Sequence, residues 1–238
     1  MHYSSAIKHT FICFLFVITN AFAQEHIETN KTKATDSLYR EDQFYAGITY
    51  NLLGKQPEGL SQSGFSLGFH LGFIRDMPIN KARNMAIGIG LGYSANSYNQ
   101  NLLIVKDDSG QFNYNLLSDS NTYTKNKFSS HLIEVPLEFR WRRSTPSDYD
   151  FWRIYTGFKF GYKFAQTSKH VGDLGVFKYT KNDDFNKFQY GLTLSAGYNT
   201  WNIYVYYALN SIFTEDAQLE GSNIDLNAVK IGLIFYIL

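Results

Sequence analysis

The sequence predicts an all-β fold, an eight-stranded antiparallel up-and-down transmembrane β-barrel, and three observations carry that expectation. Eight runs place apolar residues at every second position, the period of a strand with two unlike faces. The face opposite the apolar one is small or basic, which suits a narrow barrel lumen better than a water-facing surface. The 238 residues include 18 Tyr, 20 Phe and 18 Gly but only 4 Pro, a composition favouring aromatic-rich strands over helices.

The first segment reads as an export signal. Lys8 and His9 precede an apolar run over 11–18, and Ala21-Phe22-Ala23 supplies the small residues that a signal peptidase needs. The run is shorter than the ~20 residues of a membrane-crossing helix, so residues 1–23 are expected to be a cleaved signal peptide. Cys13 is the only cysteine and lies inside that run, which leaves the expected mature chain without thiol, disulfide or lipid anchor. Residues 24–43 lack an apolar period and read as a flexible periplasmic leader, with the barrel occupying 44–238. Lys plus Arg is 22 against 21 for Asp plus Glu, a balance that gives nucleic acid no electrostatic footing.

The strands are expected at 44–52, 65–73, 85–93, 133–141, 152–164, 190–198, 203–209 and 229–237. In the second, Phe65, Leu67, Phe69, Leu71 and Phe73 alternate with Ser66, Gly68, His70 and Gly72. In the third, Met85, Ile87, Ile89, Leu91 and Tyr93 oppose Ala86, Gly88, Gly90 and Gly92. The fourth sets Ile133, Val135, Leu137, Phe139 and Trp141 against Glu134, Pro136, Glu138 and Arg140, and the fifth carries Arg153, Lys159 and Lys163 on its non-apolar face. The last strand alternates except at Ile234. Leu67, Ile89, Leu137 and Leu233 are expected on the lipid face near mid-membrane, whereas Gly90 on the lumen face should tolerate Ser. A soluble sandwich would also alternate, but its water-facing surface has no need of so many glycines. Tyr93, Tyr98, Trp141, Trp152 and Trp201 read as interfacial girdle residues.

Connection lengths suggest an orientation. Bacterial barrels have short periplasmic turns and longer outer loops. The segments 54–63, 99–129, 166–187 and 210–223 therefore read as extracellular, and 75–84, 143–150 and 199–202 as periplasmic. Both termini are then expected in the periplasm.

With the strands placed, Ile133-Glu134-Val135-Pro136-Leu137 resembles the I-E-[VI]-P-L strand of the PorT-like outer-membrane β-barrel family of the Bacteroidota. The Gly-rich strands over 66–73 and 86–93 and the C-terminal Lys230-Ile231-Gly232-Leu233 look like other strands of such proteins, so the resemblance spans 44–238. It implies an integral outer-membrane barrel, some relatives of which serve type IX secretion and gliding, and it brings no catalytic motif.

The chemistry-bearing residues read as a structural charge network in the lumen: Glu134, Glu138, Arg140, Arg153, Lys159, Lys163, His70 and Lys230. Buried charges must pair, so Glu134 and Glu138 are expected to pair with Arg153, Lys159, Lys163 or Arg140, Glu138 with Arg153 being one such pair. Two glutamates four apart on one strand are ~13 Å apart, too far for a glycosidase pair. At the outer rim, His131, Asp119, His170 and Asp173 have no nucleophile motif beside them. Asp107, Asp108 and Asp119, or Asp183 and Asp184, lack calcium-loop spacing. Phe112, Tyr114, Leu116, Leu117 and Tyr123 in the second outer loop would form a partner surface or a hairpin extending the wall. The expected function is a non-enzymatic scaffold or accessory without cofactor or metal, acting in secretion or surface assembly with outer-membrane lipid and a protein complex as partners. The rivals are a small porin-like channel and an outer-membrane hydrolase.

Overall fold

The computed structural model describes residues 42–118, 120–143 and 152–237. The expected signal peptide and nearly all of the leader lie outside the described residues, as do Asp119 and the segment 144–151. Among the described residues there is no helix; the strands are β1 (Gln43–Gly54), β2 (Leu67–Pro78), β3 (Met85–Asn99), β4 (Leu102–Lys106), β5 (Phe112–Leu116), β6 (Tyr123–Arg142), β7 (Trp152–Gly172), β8 (Gly175–Tyr179), β9 (Phe188–Tyr198), β10 (Trp201–Ala208), β11 (Gln218–Leu219), β12 (Ser222–Asn223) and β13 (Asn227–Ile237).

Eight of these close on themselves. The hydrogen-bonded order β6-β3-β2-β1-β13-β10-β9-β7 is completed by pairing of β6 with β7, and every pairing is antiparallel. Closure removes the free edges that an open sheet would expose. The first and last strands meet directly, Phe44 opposite Ile237 and Leu52 opposite Val229. The barrel is the one that the period-two pattern predicts.

The two faces follow the alternation. On β6, Ile133, Val135, Leu137, Phe139 and Trp141 are 38 to 49 % exposed, while Glu134, Glu138, Arg140 and Arg142 are at most 5 % exposed. Ile234, the one break in the pattern of β13, is buried in the lumen with Ile74 of β2. The outer face is a continuous apolar band, far larger than soluble monomers leave uncovered. All three tryptophans stand at the short-turn end: Trp152 packs edge-on to Tyr198 and Trp201 to Phe235, at 5.6 and 4.8 Å between ring centroids.

Several expected boundaries move. Phe65 lies before β2 and is 81 % exposed, and Leu67 opens that strand at the long-loop end rather than near its middle. At the other end β2 runs on to Pro78, so Asp76 belongs to the strand and not to a turn. Segments expected as loops, 123–129 and 166–172, are strand: β6 and β7 pair with each other well beyond the ring, and β8 adds to β7 there. Their polar alternation hid them, because a wall standing in water needs no apolar face. Where β7 leaves the ring it carries a bulge, with His131 opposite Ala165 and Leu132 opposite Lys163, so that Phe164 is the extra residue. The bulge switches the inward parity of β7 from odd to even numbers, which is why Ser168 and His170 are buried beside an inward Lys163.

The connections at the long-loop end fold over the barrel mouth. Tyr98 and Phe128 from the wall, Leu102, Ile104 and Tyr114 from the β4–β5 hairpin, and Phe185, Ile212, Phe213, Ile224 and Leu226 from the later loops are all buried in one apolar cluster. Phe185 and Phe213 meet as tilted rings with centroids 4.4 Å apart. Tyr98, expected in a girdle, is instead 3 % exposed inside this cap. The residues expected to offer a partner surface or to extend the wall divide: Tyr114 and Leu117 are buried in the cap, and Tyr123 opens β6.

The expectation that Gly90→Ser would be tolerated fails on geometry. A Cβ at Gly90 would strike the backbone carbonyl of Phe73 and lie 2.8 Å from Ile74 Cγ1. Leu137→Arg or Leu233→Arg, each on the exposed apolar band, should cost about 2 to 4 kcal/mol in a bilayer, and Gly90→Ser should cost about 1 to 3 kcal/mol through overpacking. Urea titration of the barrel folded in lipid vesicles reads both, and stability equal to the parent protein at Leu137→Arg would contradict the outward assignment.

Candidate functional site

The lumen is built from the alternation itself: residues of even number on β6 and β2, and odd on the ring part of β7, point inward and meet side chains from the facing strands. Small residues make the space. A Cβ at Gly88 would lie 2.7 Å from Arg140 Cδ, and one at Gly92 would fall against the Tyr45 hydroxyl. Opposite Glu138 and Glu134 stand Gly157 and Gly161. The glutamates therefore have no basic residue directly across from them, although their strand does adjoin the basic one.

Near the short-turn end Asp76 holds two arginines. Its Oδ1 accepts from Arg140 Nη1 at 2.9 Å and from Arg142 Nη1 at 2.7 Å, and its Oδ2 accepts from Arg142 Nη2 at 2.8 Å. All three side chains are fully buried. Gln43 Oε1 accepts from Arg140 Nη2, and the Asp76 backbone N–H donates to Asp42 Oδ1 at 2.8 Å. The Arg140 guanidinium also lies 4.1 Å from the Tyr155 ring centroid and 5.7 Å from that of Tyr236, contacts that add attraction in a desolvated setting. Glu138 Oε2 is 3.5 Å from Arg140 Nε on its own strand.

Midway along the lumen, Lys159 Nζ stands 3.1 Å from Glu134 Oε2. Lys159 is opposite Pro136, so it reaches Glu134 along the diagonal. Ser94 Oγ donates to Glu134 Oε1 at 2.7 Å. His70 Nδ1 is 3.8 Å from Glu134 Oε2 and His70 Nε2 is 3.0 Å from Thr49 Oγ1. Lys230 lies over the Tyr206 ring at 4.8 Å and Lys163, towards the cap, over Phe185 at 4.7 Å.

The residues expected in the network lie buried in the lumen, and of the basic partners expected for the two glutamates Lys159 meets Glu134 and Arg140 meets Glu138. Glu138 contacts Arg140 and not Arg153; Arg153 is in register with Arg142 and lies 5.8 Å from the Tyr236 ring. Lys163 and Lys230 rest on aromatic rings rather than on carboxylates. Asp76, Arg142 and Gln43 were not expected. The signal was available, since stepping by two from His70 reaches Asp76 and stepping by two from Arg140 reaches Arg142. Among the described residues the buried acids are Asp76, Glu134 and Glu138, and the buried arginines and lysines are Arg140, Arg142, Arg153, Lys159, Lys163 and Lys230.

A family model described as an outer membrane protein beta-barrel domain matches residues 22–214. The chain belongs to the outer membrane protein beta-barrel domain family. Its place is accordingly the outer membrane, and the exposed apolar band is the surface that meets lipid. No curated protein matches the chain. A solved structure described as "Asymmetric conductivity of engineered proteins" aligns over 84 % of this chain and 100 % of its own at 8 % identity and a TM-score of 0.20, a likeness too slight to carry an argument.

The rim of this family member holds the remaining candidates. His170 is buried, its Nδ1 3.2 Å from Asn126 Oδ1 and its ring stacked on Phe177. His131 faces outward, its Nδ1 2.7 Å from Tyr93 Oη. The Asp173 carboxylate accepts from the backbone N–H groups of Thr122 and Leu174. Asp107 accepts from Ser109 Oγ and the Gln111 backbone N–H, bonds that hold its carboxyl below the usual range. Tyr114 donates to Asp184 at 2.8 Å, and burial pushes its phenol up. No group of three or more His, Asp or Glu able to hold a metal occurs among the described residues. Open clefts of about 590 and 670 Å³ lie between the loops, one lined by Asn186, Ser211 and Glu215, the other by Lys106, Lys181 and Asp183.

Asp76→Ala should cost about 3 to 5 kcal/mol, because it removes the carboxylate that two buried guanidinium groups share. Replacing Asp76, Arg140 and Arg142 together with Leu and Met should cost clearly less. The temperature at which the folded band is lost on unboiled gels reads the difference, and an Asp76→Ala protein as heat-resistant as its parent would contradict the clamp.

Proposed function

We propose that this outer-membrane barrel is a non-enzymatic scaffold or accessory that acts through its long-loop face, in type IX secretion or a related surface-assembly complex. One observation carries the reading. The inward side chains that would line a channel are buried, from Arg142 and Asp76 at one end to Tyr98 and Phe128 beneath the cap. A water-filled pore would leave its lining wetted, whereas an eight-stranded barrel is just wide enough for side chains to fill. With the lumen filled, the surface left for work is the rim, where the paired extensions of β6 and β7 stand furthest from the ring.

The unequal loop lengths support an extracellular long-loop end and periplasmic termini. The I-E-V-P-L stretch over 133–137, which resembles PorT-like barrels, supports the secretion role. The second reading is a small channel, to which Lys163 and Lys230, resting on aromatic rings rather than on carboxylates, would give a preference for anions.

Planar bilayers separate the two readings. The scaffold should give no stable conductance steps, and anion-selective steps would overturn it in favour of the channel. Ser109→Cys, in the tight turn of the β4–β5 hairpin, should be labelled on intact cells by a membrane-impermeant maleimide. Labelling only after outer-membrane disruption would reverse the orientation. Mild-detergent purification from cells should then bring down a discrete stoichiometric complex, and recovery of the barrel alone would count against the scaffold.

A further inference from the structure

The outer face of the wall that β6, β7 and β8 raise above the ring carries three lysines in one cross-strand row. Lys127 is in register with Lys169, Lys169 with Lys178, and Asn99 of β3 with Lys127. They point outward, because their chain neighbours Asn126, Phe128, Ser168 and His170 are buried and Phe177 stacks on His170. Directly opposed residues bring their Cβ atoms to about 4.5 to 5.5 Å, where like charges repel and destabilise the pairing. Among the described residues nothing offsets this, since none of the three has an ion pair. Asp173, at the tip beyond them, is occupied by two backbone N–H groups.

What lies below the row identifies its ligand. One step down the same face are Ser97, Ser129 and Thr167, and below those Tyr93, His131 and Phe164 join the apolar band, with ring centroids 6.0 to 6.3 Å apart. Aromatic girdles mark the membrane interface in barrels of this kind. Lys127 is four residues beyond His131, ~13 Å along a strand at ~3.3 Å per residue and about 10 Å in height once strand tilt is allowed for. The face passes from apolar through aromatic and hydroxyl to cationic, the order in which a lipid presents acyl chain, ester region and charged headgroup.

We propose that Lys127, Lys169 and Lys178 bind the phosphate groups of an anionic membrane glycolipid in the leaflet at the long-loop end. The site rests on the membrane reading above, and its occupancy relieves the repulsion built into the row. The full chain, folded in phosphatidylcholine nanodiscs carrying a small fraction of diphosphorylated lipid A, provides the test. Insertion is checked first by the heat-dependent gel shift, whose absence would overturn the barrel's membrane reading itself. Both leaflets hold the probe, so binding does not depend on orientation. Lipid A retained per barrel after mild-detergent extraction is then measured by mass spectrometry. Lys127→Gln, Lys169→Gln and Lys178→Gln together should weaken retention about 100-fold, as expected of three lysines at an anionic surface, while Lys81→Gln at the short-turn end should not change it. Lipid A lacking its phosphates should be lost in the same way. Undiminished retention by the triple variant, still heat-resistant on the gel, would overturn the proposal. So would equal retention of phosphatidylglycerol, or displacement of lipid A by millimolar inorganic phosphate.

Discussion

A closed ring of eight strands leaves an interior that only side chains can fill, and every charge placed there must find its counterpart inside the ring. That constraint governs the molecule. Asp76 is its strictest expression: one carboxylate pairs with two fully buried guanidinium groups from alternate positions of β6 and ties β2 to β6 across the intervening β3. The bulk of those arginines in turn dictates glycine at 88 on β3, where a Cβ would strike Arg140 and Ile74. Tyr155 and Tyr236 present ring faces to the Arg140 guanidinium. The lumen is best understood as a polar core with the packing demands of an apolar one.

The same constraint explains the upper half. Lys230 and Lys163 rest on aromatic faces, Lys230 on Tyr206 and Lys163 beneath Phe185 of the cap. The cap then serves two purposes. It closes the mouth above Lys163, and it buries apolar side chains from loops whose backbones would otherwise lie loose in water. The long β6–β7 wall supports it from one side, with Phe128 of that wall packed edge-on against Phe185 and Phe213 at 5.5 and 5.7 Å.

Much of the ring was legible in the sequence because period-two alternation survives wherever one face meets lipid. Ile133 to Trp141 needed nothing beyond their spacing. Legibility failed where that contrast ends. Residues 123–129 and 166–172 alternate polar with polar, so their strands look like loop, and Phe164 conceals a bulge that no period announces. Of the lumen network, most of the residue set was readable and the pairing only in part. Glu138 and Arg153 lie on adjoining strands, but register decides that Gly157 faces Glu138 and Arg142 faces Arg153, and register depends on turn geometry and ring closure rather than on composition. Asp76 was missed because Arg75, an outward charge at the end of β2, suggested that the strand had already stopped.

A filled, charge-paired lumen beneath a closed cap is the claim on which the functional reading depends, and solvent access at its centre tests it most directly. The expected mature chain has no cysteine, so a single Cys at Ser94, which is fully buried beside Glu134, can be exposed to a small water-soluble thiol reagent in the folded protein. The account predicts no labelling at position 94 until the barrel is unfolded, while a Cys at Ser109 labels at once. Labelling of both at similar rates in the folded barrel would mean that water runs through the lumen, and would contradict it.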